Sequence, residues 1–484
     1  MMIDVLLNGV KVVEIVGKMP SKVSAVCIDS RQVTKGSLFV AIKGYLQDGH
    51  SFIRNAVNLG SAVIVCEVLP SDMVDEVCYV KVKDSAAAAS IIASNFYDNP
   101  SSKMRLVGVT GTNGKTTTVT LLYNLFTSLG YCCGLLSTVQ NIIGKRVLET
   151  DHTTPDPITL NRLMSEMVDC GCEFCFMEVS SHAADQKRIA GLTFAGGIFS
   201  NITHDHLDYH RTFVNYIAAK KSFFTLLPPE SFALTNVDDR NGMVMVENTK
   251  ARVYTYGVKE MADFHAKILE FKIYGTLIKI NNEDDFWLPL PCMYNVYNQL
   301  AVYAAAVLLG ADKEEMKVAL SAVKGAKGRF QLVPNNDGKN VIVDYAHTPD
   351  ALENVLSAVK ELTEDDRLVI CVFGAGGDRD TTKRPEMGAV SVKYSDLVII
   401  TSDNPRSEDP NSIIDQIAAG IDEANMKKVM RIPDRKEAIN VAINLMQPDD
   451  VLVIAGKGHE NYQEIKGVKH HFDDVEIVKE LINR

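Results

Sequence analysis

Gly111, Thr112, Asn113, Gly114, Lys115, Thr116 and Thr117 set two glycines, one lysine and a run of hydroxyls in adjoining positions. A glycine-rich turn of this kind lets backbone N–H groups close on phosphate oxygens. The lysine reaches the β- and γ-phosphates, and the hydroxyl of Thr116 is placed to ligate Mg2+. The spacing departs from the usual G-x-x-x-x-G-K-[ST] pattern, because Val109 stands where the first glycine belongs and glycines fall at 108 and 111 instead. The plain alternative is an ordinary strand-to-helix turn that contains Gly-Lys-Thr. The flanks favour phosphate: Leu106 to Val109 reads as a short buried strand, and Val119, Leu121, Leu122, Leu125, Phe126 and Leu129 recur at helical spacing. The segment predicts a nucleotide site.

Two further clusters lie downstream. Glu178-Val-Ser-Ser-His182 ends the apolar run Phe174 to Met177. A carboxylate at the carboxyl end of a parallel strand near a phosphate loop either holds a nucleotide-bound Mg2+ or caps the next helix. After a strand at Gly196 to Ser200 comes Asn201-Ile-Thr-His-Asp-His-Leu-Asp-Tyr-His210, with histidines at 204, 206 and 210. Magnesium takes oxygen ligands by preference, so the three histidines cannot all be its ligands, although one can. Cys172 and Cys175 have a C-x-x-C spacing that suggests zinc or redox chemistry. No second Cys or His pair lies at zinc-ribbon distance, and Cys175 enters an apolar strand, so these read as small core residues.

The elements that position these groups read as α/β throughout. At 484 residues the length suggests about three domains. A small N-terminal α/β domain over 1–98 has strands at Val23 to Asp29, Ser37 to Ile42 and Ala62 to Cys66, with helices at Gly49 to Leu59 and Ala86 to Tyr97. Its polar turns, Ile28 to Arg31 and Gly44 to His50, are either surface loops or ligand contacts, and composition does not separate the two. Asp98-Asn-Pro-Ser-Ser102 marks the passage to a central P-loop ATPase-like domain with a parallel sheet over 99–330. From 331 to 484 strands at Val341 to Val343, Leu368 to Phe373, Leu397 to Ile400 and Val451 to Ile454 alternate with helices, a Rossmann-like doubly wound pattern. Each of these strands runs into a polar loop: Asp344 to His347, Gly374 to Arg379, Asp403 to Arg406, and Gly456 to Glu460. In such sheets ligands bind at the carboxyl ends of strands, so the four loops should share one face.

Composition narrows the class. A net charge of −11 argues against a nucleic-acid or membrane-surface binder. The N-terminus lacks a basic region followed by an apolar core, and no run of 18 apolar residues offers a membrane span. Ten scattered cysteines then favour reduced thiols in the cytoplasm.

Taken together, Thr110 to Thr117, Glu178 to His182, Asn201 to Tyr209, Tyr216-Ile-Ala-Ala-Lys220, Asn295 to Asn298, Gly328 to Phe330, Asp344 to Pro349, Gly374 to Pro385 and Gly456 to Glu460 resemble the Mur ligase family. These are ATP-dependent amide-forming enzymes of peptidoglycan precursor synthesis, and so of cell wall biogenesis, cell shape and division. The resemblance spans nearly the whole chain in the family's order. It is closest to the branch that adds the third amino acid, to UDP-N-acetylmuramoyl-L-alanyl-D-glutamate. It implies a domain for the uridine sugar, then one for ATP and magnesium, then one for the amino acid, in a protein expected to be monomeric.

The resemblance also implies residue roles. Glu178 and His206 would ligate a second Mg2+, the first being shared between Thr116 and ATP. Lys220 would carry a carbamate, turning a cation into an oxygen anion that suits magnesium; by itself Lys220 would read as a solvated helix lysine. The nucleotide side would add Asn298, Arg329, Asp344 and His347. The sugar nucleotide would touch Ile28, Ser30, the loop Tyr45, Leu46 and Gln47, then His152, Thr153, Thr154, Ser180, Gln186 and Arg188. His152 stands where relatives often have asparagine. The amino acid would be read by Arg379, Asp403, Asn404, Pro405, Arg406, Gly456 and Glu460. The arginine form of the tetrapeptide accompanies meso-diaminopimelate, whose second carboxylate suits a guanidinium, with Glu460 facing its distal ammonium. The rival expectations are the same ligase using L-lysine, a folylpolyglutamate-synthase-like ligase, and a non-catalytic nucleotide-binding regulator.

Overall fold

The computed structural model describes residues 1–44, 47–150, 152–283, 285–334 and 337–482. The chain divides into two compact units, one of residues Met1–Ala266 with Tyr297–Leu320, the other of Lys267–Val296 with Ser321–Arg484.

The first unit holds two sheets. In the N-terminal one the strand order is Val12–Val16, Cys78–Val82, Val63–Cys66, Leu38–Val40, Val26–Cys27. The first pair is antiparallel and the others parallel. The sequence pattern does not show Val12–Val16, an edge strand whose side chains are mostly exposed and so carry no burial alternation. The helix Ser85–Phe96 closes this layer, started by the Asp84 carboxylate accepting from Ala87 N.

The second sheet of this unit runs Arg252–Gly257, Phe232–Asn236, Gly196–Phe199, Arg105–Thr110, Phe174–Glu178, Cys133–Leu136, all parallel, before two antiparallel strands at Asn141–Ile143 and Arg146–Leu148. Every residue of Phe174–Glu178 is buried, as expected of a strand covered by helices on both faces. The helix Lys115–Ser128 lies against it with Leu121, Leu122, Leu125 and Phe126 inside. The helix Pro157–Asp169 starts where it does because Asp156 caps Ile158 N and Thr159 N ahead of a first-turn proline. The chain leaves Arg105–Thr110 toward Cys133–Leu136 on one side and returns to Gly196–Phe199 on the other. The carboxyl end of Arg105–Thr110 is therefore a topological switch point, where a crevice opens for ligands.

In the second unit the strands run Gln331–Val333, Asn340–Asp344, Val451–Ala455, Val369–Phe373, Leu397–Ile400, Val429–Arg431. All pair in parallel except the first. Alternate residues feed two cores, Ile342, Cys371 and Val453 on one face and Val341, Ile370 and Leu452 on the other. This is the doubly wound pattern. The strands at 331–333 and 429–431 are too short to show a period in sequence. Residues 267–296, with a hairpin of Gly275–Ile280 and Asp285–Leu288, pack with this unit. No helix among the described residues is long and apolar enough to cross a membrane.

Candidate active site

The phosphate loop follows Arg105–Thr110 directly, and its glycines are required. A side-chain carbon on Gly114 (φ +86°) would sit 2.3 Å from Asn298 Oδ1, and one on Gly111 would sit 2.0 Å from Ser200 Oγ. Asn298, expected on the nucleotide side, thus packs on the loop itself. The helix that follows starts at Lys115 with no side-chain cap, so its first N–H groups face outward for an anion. Thr112 N donates to Asn201 O (2.8 Å), Asn113 N to Asn201 Oδ1 (3.0 Å), and Ser200 Oγ to Asn113 O (2.6 Å). Tyr216 OH lies 3.0 Å from Thr112 Oγ1. Ser200, Asn201 and Tyr216 brace the loop, a role that their places in the sequence motifs do not show.

Two lysines converge on this loop. Lys115 Nζ donates to Gly111 O (3.0 Å) and Thr112 O (2.9 Å), and Lys220 Nζ donates to the same Gly111 O (2.6 Å). Lys220 is fully buried, with its ammonium 4.7 Å from the Tyr216 ring centre. Burial first, and the Lys115 charge second, push its pKa well below the ordinary lysine range, while Asp205 opposes them.

Glu178 is 1% exposed. Its carboxylate accepts from Thr138 N (2.8 Å) and Thr138 Oγ1 (3.2 Å) and has no cationic partner among the described residues. It does not cap the following helix; Ser180 does, accepting from Ala183 N (3.1 Å). His206 stands in the left-handed region (φ +53°) just before a short helix, with its ring 3.4 Å from Asp205 and edge-on to His182 at 4.9 Å between ring centres. Burial lowers its pKa, the Lys115 and Lys220 charges push the same way, and Asp205 and Asp208 oppose, a shift toward the neutral imidazole that can ligate. Among the described residues no three His, Cys, Asp or Glu gather to cage a metal. A buried carboxylate met only by neutral donors nevertheless fits Mg2+, which binds through one or two protein groups plus substrate phosphates.

Around Glu178 lies a polar network that joins five of the eleven expected sugar-side residues. Thr138 Oγ1 is 3.0 Å from Thr153 Oγ1, and Thr154 Oγ1 donates to Glu178 O (2.8 Å) and accepts from Ser180 N (3.2 Å). Arg188 donates to Thr154 O (2.6 Å) and to Gln186 Oε1 (2.6 and 3.0 Å), and Gln186 Nε2 donates to Tyr209 OH (3.2 Å). His182 packs on Tyr209 at 4.3 Å between ring centres, and burial, with the charges of His206, His210 and Arg188, lowers its pKa to about 4. His152 is exposed and lines a cavity of about 600 Å³ with Thr150, Asp156 and Arg162. Ser30 and Gln47 hydrogen-bond in the turns and helix around the N-terminal sheet, Ser30 Oγ accepting from Asn55 and Gln47 O from Gly44 N. Ile28 follows strand Val26–Cys27 and packs on the core of that sheet. Tyr45 and Leu46 lie outside the described residues.

The second unit carries the remaining expected residues at the carboxyl ends of its strands. Asp344 accepts from Phe330 N (2.6 Å) and Ala346 N (2.8 Å), and burial raises its pKa against the pull of Arg329. Arg329 lies over the Tyr345 ring at 4.9 Å, and His347 Nδ1 is 2.8 Å from Tyr345 O. A side-chain carbon on Gly456 (φ +114°) would sit 2.5 Å from Asp403 Oδ2, so only glycine lets these two loops touch. Asn404 is locked: its Nδ2 donates to Glu460 (2.8 Å), while its Oδ1 accepts from Lys457 Nζ (3.0 Å) and Glu464 N (2.9 Å). One Glu460 oxygen is thereby shared by Asn404 and Lys457 (3.2 Å). Pro405 O packs so close to Gly377 that a side-chain carbon there would sit 1.9 Å away.

Arg406 adopts φ +50°, with its N–H donating to Glu464 O (3.0 Å). Its Nη1 donates to Gly377 O (2.8 Å) and its Nε lies 3.4 Å from Glu464. Of the five guanidinium N–H groups, the others have no partner among the described residues. Arg379 is exposed, and both arginines flank Gly376, Arg406 Nη1 at 3.0 Å and Arg379 Cγ at 3.7 Å from where its side chain would begin.

Arg384, which sequence reasoning left without a role, holds these loops together. It is fully buried and grips Glu408 with two 2.8 Å bonds while donating to Gly376 O (3.0 Å) and Gln416 (2.8 Å). Arg384 and the Asp378 N–H lower the Glu408 pKa to about 2. Arg384→Ala is expected to destabilise the chain by about 3 kcal/mol, toward the low end for breaking a buried pair because Glu408 keeps some water. A denaturant melt checks this, and Arg384→Lys should recover only part, since an ammonium cannot make the two-pronged bond.

Three family models match in chain order: the catalytic domain of the Mur ligase family over residues 22–97, the Mur ligase middle domain over 109–306, and the glutamate ligase domain of Mur ligases over 328–458. A UDP-N-acetylmuramoyl-L-alanyl-D-glutamate–2,6-diaminopimelate ligase of Cytophaga hutchinsonii is 53% identical over 100% of this chain and 99% of its own. The enzyme of the same name from Phocaeicola vulgatus is 52% identical over 99% of each. A solved structure of a ligase of that name superposes with a TM-score of 0.73 at 32% identity, covering 97% of both chains.

Proposed function

Because the chain belongs to the Mur ligase family, we propose that it is an ATP-dependent ligase that joins meso-diaminopimelate to UDP-N-acetylmuramoyl-L-alanyl-D-glutamate. The observation that carries this reading is the convergence of Lys115 and Lys220 on one loop carbonyl, Gly111 O, at 3.0 and 2.6 Å. It sets the Lys115 charge and a buried amine whose protonation is disfavoured side by side, where a triphosphate and a carboxylate must approach each other.

The D-glutamate carboxylate of the sugar peptide attacks the γ-phosphate of ATP, which leaves an acyl phosphate and ADP. The amine of diaminopimelate then attacks the acyl carbon, and the tetrahedral intermediate expels phosphate. The chain contributes position and charge. The loop Gly111 to Thr117 holds the phosphates, through the backbone N–H groups that Asn201 does not already take, and Lys115 offsets charge that would repel the incoming carboxylate. Asn298, Arg329, Asp344 and His347 take the nucleoside. Thr153, Thr154, Ser180, Gln186 and Arg188 hold the sugar peptide, with Ile28, Ser30, Tyr45, Leu46, Gln47 and His152 on its uridine side. Thr116, Glu178, His206 and a carbamate on Lys220 would hold Mg2+, which when bound spreads the charge of the phosphates. The domains are 1–98, 99–330 and 331–484, in a cytoplasmic monomer.

Arg379, Asp403 to Arg406, Gly456 and Glu460 read the amino acid. The second oxygen of Glu460 is the one placed for the distal ammonium. The unpaired N–H groups of Arg406 take the second carboxylate of diaminopimelate, which lysine lacks. The test is a ligation assay with both amino acids, in which sustained ADP turnover should require the sugar peptide and the amino acid together. Wild-type protein should favour meso-diaminopimelate. Arg406→Ala should lose about 2 kcal/mol of that preference, roughly thirtyfold in the ratio of kcat/KM, a low value because the side chain is partly wet. Equal use of L-lysine by the wild type, or an unchanged ratio in the variant, would overturn the assignment of substrate. ADP formation without sugar peptide would favour a regulator or a different ligase.

A further inference from the structure

Three thiols meet at the end of the central sheet opposite the phosphate loop. Cys132 ends the link from helix Lys115–Ser128 to strand Cys133–Leu136, while Cys170 and Cys172 lie in the link from helix Pro157–Asp169 to strand Phe174–Glu178. The parallel register pairs Phe174 with Cys133 and draws the two links together, with Glu173 N donating to Cys132 O at 2.9 Å. The sulfurs of Cys132 and Cys172, 40 residues apart in sequence, are 3.6 Å apart in space. Cys170 borders the same nest: a side-chain carbon on Gly144 would lie 3.1 Å from its sulfur and 3.6 Å from that of Cys132. Cys170 is exposed, Cys132 partly so, and Cys172 buried. The C-x-x-C spacing points elsewhere, to Cys175, which is wholly buried in its strand.

We propose that Cys132 and Cys172 form a dithiol site that a hydroperoxide oxidises to an intramolecular disulfide. The sulfurs need to close only from 3.6 Å to a bond of about 2.05 Å, within reach of a side-chain rotation. Cys132 is the more accessible of the two and is attacked first. Burial and the adjacent Cys132 sulfur hold the Cys172 thiol protonated, and oxidation of Cys132 removes the second of these influences. The Cys132 thiolate takes one oxygen of hydrogen peroxide as the O–O bond breaks. The departing hydroxide and the thiol proton leave as water, and Cys132 becomes a sulfenic acid. The Cys172 sulfur then attacks the Cys132 sulfur, giving up its proton as the S–O bond breaks. The expelled hydroxide leaves as a second water with the Cys172 proton. Two thiols lose two electrons in all, and one peroxide is reduced to two waters.

This site is independent of the ligase reading, since none of the three cysteines is assigned to substrate or nucleotide. The test treats the folded full-length chain with hydrogen peroxide, alkylates the remaining thiols and maps linked peptides by mass. A Cys132–Cys172 peptide should accumulate in most molecules, persist in Cys170→Ser, and vanish in Cys132→Ser and Cys172→Ser. Ligase turnover of the unoxidised Cys172→Ser protein should stay within about twofold of wild type, which reports its fold. If both thiols stay open to alkylation after peroxide, or if the only disulfides formed involve Cys170 or join two molecules, the proposal is wrong. Mapping in the wild type decides this even where a serine variant folds poorly.

Discussion

Lys115→Ala should lower ADP formation by about 10³-fold while leaving the fold intact. Removing one preorganised donor from a charge-stabilising site costs about 10²–10³ in rate, and a full positive charge at the phosphates stands at the upper end of that range. The fold should survive because Lys115 is the first residue of its helix and alanine is a strong helix former. The apolar face of that helix, Leu121, Leu122, Leu125 and Phe126, is untouched. The Lys115 charge is also one of the influences that depress the pKa values of Lys220 and His206, so both should rise in the variant. Rapid-quench measurement of ADP, with a thermal melt on the same sample, checks the outcome. Near-wild-type turnover in a folded Lys115→Ala protein would remove the phosphate-loop assignment.

What was legible in the sequence follows from how local each feature is. The phosphate loop, its strand and its helix lie within one short stretch, so residue types and spacing carried the whole unit. The alternating strands of the second unit were legible for the same reason, since buried parallel strands are continuous apolar runs. Glu178 stayed ambiguous between helix cap and metal ligand because the choice rests on Thr138, 40 residues earlier, which takes its carboxylate. Arg384 and Lys457 went without roles because their partners Glu408 and Asn404 are 24 and 53 residues away. Their charges read as surface lysine and arginine until the fold buries them. The thiol pair was hidden in the same way. Spacing offered Cys172 with Cys175, whereas the parallel register brings Cys132 to Cys172.

Lys220→Ala should reduce turnover by a comparable factor, about 10³-fold, and the physical reason decides between two roles for this side chain. In one, Lys220 is a strut: its ammonium holds Gly111 O at 2.6 Å and so shapes the phosphate loop. In the other, the amine carries a carbamate. Only a neutral amine attacks CO2, and Lys220 is set up to supply one, because burial and the Lys115 charge lower its pKa well below the lysine range. The sign follows for pH. A protonated Lys220 is disfavoured in the folded chain relative to the unfolded one, so falling pH costs stability through this group and also favours loss of the carbamate. Carbamylation would give up the bond to Gly111 O and replace a cation with an anion at that position. The two roles part in the variant. Short carboxylates added to Lys220→Ala should restore part of the activity if an anion is what was lost, and should do nothing for a missing strut. Labelled CO2 should give a carbamate signal in the wild type that is absent from Lys220→Ala and fades as pH falls. An unmodified Lys220 in an active protein bound to ATP and magnesium, or a variant that carboxylates leave inert, would assign Lys220 to the loop rather than to the chemistry.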